Sequence, residues 1–153
     1  MKVQNFNLNI TIILISITYA SIVKFGYVGF GIDYVYAYHK SNMVASNVFN
    51  AVGWFLSTLT VFNIQFGTFL VPFLISLSTG YLLKYFLNLQ NLNSKFFFFT
   101  IFTLSLFSWP LLISSNNAMR QGLMMSFIFF SLIFLTDKKF SIGFIFILIA
   151  SFT

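Results

Sequence analysis

Apolar runs about as long as a bilayer is thick recur along this chain, and they constrain its fold more than any other feature. Leu8 to Val23, Phe66 to Leu83, Phe96 to Ser115 and Met119 to Thr136 are four of them, and a last, shorter run extends from Phe140 to Phe152. A helix needs about 20 apolar residues to cross the hydrocarbon core. There the backbone must satisfy its own hydrogen bonds, which leaves helices or closed barrels. Apolar types make up 59% of the residues and charged types only 7%. A soluble domain carries about 25% charged residues. With a mean hydropathy of +0.93, the expectation is an all-α, polytopic transmembrane helix bundle.

The formal net charge of +6 comes from eight scattered cations and two acids. No Lys/Arg cluster interleaved with aromatics points to nucleic acid. The cations read as topology signals at the ends of spans. The chain has no cysteine, which excludes disulfides, thiolate metal sites and cysteine nucleophiles. The single histidine, His39, has only Asp33 and Asp137 as acidic company, so no metal site is expected. Lys2, the run Ile10 to Ile17 and Thr18-Tyr19-Ala20 have the outline of a signal peptide. The weak cleavage context and the spans that follow favour an uncleaved first helix.

Asn47 to Phe62 decides the topology. At about 100° per residue, Val52, Phe55, Leu56 and Leu59 fall on one side and Asn50, Gly53, Ser57 and Thr60 on the other. That division suits an amphipathic helix lying in the membrane interface. The result is five spans with the N-terminus inside. Lys24, Lys40 and Arg120 then lie outside, and Lys2, Lys84, Lys95, Lys138 and Lys139 in the cytoplasm. If the segment crosses instead, there are six spans, and charge counting alone prefers that arrangement. The five-span reading is adopted because it places Asp33 and Arg120 on one surface. Pro72 and Pro110 are expected to kink their spans. The apolar run that ends at Thr153 gives residues 1–153 the look of a single transmembrane domain truncated from something longer.

Two polar clusters remain. Arg120 opens the run Met119 to Thr136 behind Ser114, Ser115, Asn116 and Asn117, a turn rich in helix N-cap types. With Asn117 as cap, Arg120 falls in the first helical turn. A cation there adds to the positive end of the helix dipole, and arginine plus backbone N–H groups form an anion site suited to phosphate. Gln121 could donate to the same anion or bond a neighbouring helix. The plain alternative is an arginine that snorkels to headgroups. Asp33 lies among Tyr34, Tyr36 and Tyr38 in Gly31-Ile32-Asp33-Tyr34-Val35-Tyr36-Ala37-Tyr38-His39. A carboxylate among tyrosines can orient sugar hydroxyls or act as a general base. It can equally be a loop residue in an interfacial aromatic belt. Asp137, in Asp137-Lys138-Lys139, reads as a loop acid.

The segments GIDY…Y and NNAMRQGLMMSFIFF together resemble the EpsG/Wzy-like family of bacterial polysaccharide polymerases. Asp33, Tyr34 and Tyr38 match its aspartate–tyrosine motif. Asn117, Arg120, Gln121 and Gly122 match its N-x-x-R-Q-G motif. The resemblance implies a GT-C-like enzyme of the bacterial cytoplasmic membrane, more than twice this length, of which the chain is the N-terminal portion. It implies a glycosyltransferase that polymerises undecaprenyl-pyrophosphate-linked oligosaccharide units into O-antigen or exopolysaccharide at the outer face, without a cofactor. Arg120 and Asp33 would be catalytic, and Tyr34, Tyr38, Asn117 and Gln121 would bind substrate. Partners would be the lipid-linked glycans, the bilayer, and chain-length regulator and flippase proteins, with no nucleic acid. The alternatives are a flippase or transporter fragment for lipid-linked oligosaccharide, or an inactive truncated product.

Overall fold

The computed structural model describes residues 2–26, 51–61, 64–90, 94–116 and 118–153. They form a helical bundle: α1 (Lys2–Phe25), α2 (Ala51–Thr58), α3 (Gly67–Leu89), α4 (Lys95–Leu106), α5 (Trp109–Asn116), α6 (Met119–Thr136) and α7 (Phe140–Ser151). A two-residue antiparallel pair, β1 (Thr60–Val61) and β2 (Ile64–Gln65), joins α2 to α3, with Thr60 opposite Gln65. Among the described residues three helical stretches are long and apolar enough to cross a bilayer: Leu8–Phe25, Gly67–Leu89 and Met119–Thr136.

The distribution of side chains is that of a protein surrounded by hydrocarbon. Phe25, Phe96, Leu104, Phe144 and Leu148 are exposed, whereas Ser16, Ser76, Ser115, Ser126 and Ser131 are buried. An apolar exterior this extensive is rare on soluble monomers, and small residues at contacts are how membrane helices approach one another. The chain is thus a membrane protein. Many hydroxyls turn back onto their own helix. Thr18 donates to the Leu14 carbonyl, Ser21 to Ile17 and Ser126 to Gly122, each four residues back. These bonds satisfy the hydroxyls without water.

Two contacts define the direction of the first pair. The Lys24 Nζ donates to the Gln65 carbonyl at 3.2 Å, and the Lys84 Nζ to Asn9 Oδ1 at 2.7 Å. α1 and α3 are therefore antiparallel, and a buried bond from Ser76 to Ser16 at 3.0 Å joins them midway. Ile12, Val23, Phe98, Phe102 and Leu106 form one core between α1, α3 and α4. Val71, Ile75, Leu111, Met119, Leu123 and Ala150 form a second between α3, α5, α6 and α7. The second core brings the first halves of α3 and α6 together, so the start of α6 lies at the Lys24 end. α2 lies there too, because a Cβ on Gly67 would strike the Ser57 carbonyl.

Several boundaries differ from the sequence reading. α6 coincides with the expected run. α3 passes through Lys84 to Leu89, because Lys84 finds Asn9 and Leu87 is buried. The run Phe96 to Ser115 is two helices rather than one continuous helix. Pro110 has no N–H to offer the Leu106 carbonyl, so α4 stops at Leu106 and α5 starts at Trp109. Ser94 starts α4 by accepting the Phe97 N–H. Within the described part of the amphipathic segment α2 covers eight residues, about 12 Å, and β1 and β2 follow it where the helix was expected to continue to Phe62. β-branched Thr60, Val61 and Ile64 favour that conformation. Gly53 and Ser57 on α2 are buried, while Phe55 is 65% exposed. The small, polar face is thus turned toward the bundle.

The α6–α7 turn carries its own strain. Lys138 has φ of 60°; its N–H donates to Leu135 O, and the Lys139 N–H to Phe134 O. This is a Schellman closure with a lysine where glycine is favoured. Lys138→Gly should stabilise the bundle by about 0.5–1 kcal/mol, the left-handed penalty less the glycine entropy cost. Denaturation in mixed micelles checks the sign. Conversely, a Cβ on Gly122 would collide with the Ser114 carbonyl and Ile75 Cδ1. Gly122→Val should destabilise by about 1–3 kcal/mol in the same assay.

Candidate functional site

α6 begins against α5. Ala118 is the N-cap, with φ −111° and ψ 53° and no side-chain cap bond. The expected cap was Asn117; with Ala118 in that position, Arg120 becomes the second helical residue, still within the first turn. Met119 is fully buried and pins the start of the helix. The Ala118 N–H donates to the Ile113 carbonyl at 2.9 Å, and the Gly122 N–H to Ala118 at 3.0 Å. The absence of a side chain at Gly122 lets this turn lie on the α5 backbone at Ser114. The glycine two residues after Arg120 therefore determines how closely the tip of α6 packs.

Arg120 is half-buried there and Gln121 exposed. The first N–H groups of a helix lie outside its hydrogen-bond ladder. With the guanidinium they form a concentration of positive charge at the tip of α6.

Lys24 adds a second cation at the same end of the bundle. Its ammonium bonds the Gln65 carbonyl, which also accepts the Thr68 hydroxyl at 2.7 Å, and it lies 5.7 Å from the Phe25 ring centroid. A hydrogen-bonded relay runs beneath Arg120. Ser115 Oγ lies 3.0 Å from the Tyr19 hydroxyl and donates to Leu111 O at 2.7 Å. Serine has one proton, so Tyr19 is the donor to Ser115. Phe107 meets the Tyr19 ring edge-on, 5.8 Å between centroids. The relay ties α1 to α5 just before the turn into α6.

Of the residues singled out in the sequence, Arg120 and Gln121 are neighbours on α6. Asp33, Tyr34, Tyr38, His39 and Asn117 lie outside the described residues. The described residues flanking 27–50 both stand at the Arg120 end, Gly26 after α1 and Ala51 at the start of α2. Lys24 was expected on the same side as Arg120, whereas Tyr19 was not recognised as part of this end. The signal for Tyr19 was a phenol in mid-span, which needs a hydrogen-bond partner when buried. Among the described residues no three His, Cys, Asp or Glu side chains group as metal ligands would.

The fold defines a helical membrane bundle with a cationic helix tip. No family model, curated protein or solved structure matches the chain.

The Tyr19–Ser115 bond should be measurable by a double-mutant cycle of Tyr19→Phe and Ser115→Ala. The expected coupling is about 0.6–1.7 kcal/mol, the range of hydrogen bonds between membrane helices. Strict additivity would show that the two hydroxyls do not interact in the folded protein.

Proposed function

We propose that the chain is the N-terminal portion of a GT-C-like polymerase that joins undecaprenyl-pyrophosphate-linked oligosaccharide units. The bundle crosses the bacterial cytoplasmic membrane five times, with the Arg120 end outward. One observation carries this reading: Arg120 stands in the first turn of α6, at the end where the chain leaves α1 and returns at α2. Asp33 is eight residues beyond Phe25, and eight residues reach at most about 29 Å. In this reading the Asp33 carboxylate acts at the same outer face as the cation.

The proposed reaction is a glycosyl transfer. A hydroxyl oxygen of the incoming lipid-linked unit attacks the anomeric carbon of the growing glycan. The bond from that carbon to the pyrophosphate oxygen breaks, and lipid pyrophosphate leaves with the electron pair. The proton of the attacking hydroxyl passes to Asp33. Arg120, Gln121 and the start of α6 stabilise the charge that develops on the leaving group. Asn117 contributes to substrate binding, and Tyr34 and Tyr38 contact sugar rings. A helix tip at the membrane surface suits a substrate whose polyprenyl tail stays in the bilayer. The donor is already activated, so the reaction calls for no cofactor. The flippase and chain-length regulator would act before and beside this step.

A second reading, a carrier for lipid-linked sugars, has one observation in its favour. Buried hydroxyls occur along α1, α3 and α6, at Ser16, Ser76, Ser126 and Ser131. Several of them are engaged within or between helices, which favours packing over a transport path. Lipid movement without bond formation in vesicles would select the carrier.

Arg120→Ala should lower polymerisation by about 10²–10³-fold, the scale of losing one preorganised charge-stabilising group. Surface glycans would then appear as single repeat units instead of a ladder. Persistence of long chains would remove Arg120 from the reaction.

A further inference from the structure

We propose that the opposite end of the bundle holds a binding site for a phosphoethanolamine group, the zwitterionic headgroup chemistry of a membrane phospholipid. A cavity of about 390 Å³ opens there between the last turns of α3 and the end of α6. It is an order of magnitude larger than the roughly 30 Å³ share of one water, and within the range of small-molecule pockets. Tyr81, Lys84, Tyr85 and Asn88 line one side. Their spacing places them on a single face of α3. Asp137 lines the other side from the end of α6, with Ile133 one turn earlier.

The two charges are what select the ligand. Lys84 and Asp137 border the same cavity, yet the hydrogen bond that Lys84 makes goes to Asn9 Oδ1. An ammonium has three donors, so Lys84 keeps donors for a second partner. A ligand bearing only negative charge would meet the Asp137 carboxylate, and one bearing only positive charge would meet Lys84. A ligand with both charges a few atoms apart satisfies both walls. Its phosphate would take Lys84 and the tyrosine hydroxyls, and its primary ammonium would donate to Asp137. Leu89 and Ile133 supply the apolar part of the lining, where the start of an acyl chain fits. Lys138 and Lys139 adjoin the site on the α6–α7 turn, which suits the headgroup layer. A trimethylammonium cannot donate a hydrogen bond to Asp137, so phosphatidylcholine should fit less well.

Native mass spectrometry of the whole chain in detergent, with phosphatidylethanolamine, phosphatidylglycerol and phosphatidylcholine at equal concentration, tests the site. The wild-type chain should retain phosphatidylethanolamine about tenfold over each of the others, the scale of one charge-assisted hydrogen bond. Asp137→Asn should bring phosphatidylethanolamine and phosphatidylglycerol to within about twofold of each other while lipid is still bound. Asp137 is exposed at the end of its helix, so this variant keeps the fold. Lys84→Gln should weaken binding of all three lipids. Soluble phosphoethanolamine at millimolar concentration distinguishes the sources. Displacement of the lipid assigns the site to the free headgroup, and failure to displace assigns it to the intact phospholipid. Equal retention of the three lipids by the wild type, or an unchanged preference in Asp137→Asn, would overturn the proposal.

Discussion

The close approach of α6 to α5 at Gly122 is the contact on which the rest of the molecule depends. Between helices in hydrocarbon there is little hydrophobic driving force, because lipid tails are as apolar as leucine. Cohesion has to come from backbones drawn near enough for dispersion and short polar contacts. Gly122 against the Ser114 carbonyl, Gly67 against Ser57 and Gly80 against Ile12 and Phe102 are such places. They link α2 to α3, α1 to α3 and α4, and α5 to α6. Large side chains are left on the outside, where lipid solvates them.

This packing also determines where the strongest charge can be. Gly122 and buried Met119 hold the first turn of α6 against the bundle, so the backbone that carries Arg120 is held in place. A snorkelling arginine on a lipid-facing helix would follow the headgroups. Here Arg120 is half-buried on a turn fixed from both sides. The Tyr19–Ser115 bond holds the preceding helix to α1 from beneath.

Much of this was legible in the sequence, and the failures have physical causes. The bounds of α6 could be read because a polar turn and Asp137 bracket an unbroken apolar run. Lys84 was taken as a span end because hydropathy treats any charge as exposed, yet Asn9 on α1 gives its ammonium a partner. The break between α4 and α5 was foreshadowed by Pro110 but read as a kink. A proline in a helix interior bends it, whereas one near a helix start lets the previous helix terminate. Two faces could be read in the sequence around α2, but not that Gly53 and Ser57 turn inward, with Ser57 against Gly67 at the start of α3. Arg120 stood out as the one cation in an apolar run. Tyr19 did not, because its partner Ser115 is 96 residues away and no local pattern encodes that pairing.

The two ends of the bundle differ in the side-chain charges they carry, and helix polarity alone does not account for the difference. At the Arg120 end α3 and α6 begin, but the antiparallel α1 finishes beside them at Lys24 and α5 finishes just before α6. Helix ends of opposite partial charge thus meet there, and the character of that end is decided by the Lys24 and Arg120 side chains. At the other end α3 and α6 finish, and Lys84, Asp137, Lys138 and Lys139 bring both signs of charge together. The parallel placement of α3 and α6, a product of the shared core around Val71, Ile75, Met119 and Leu123, is what keeps these two groups of side chains at opposite ends of the bundle.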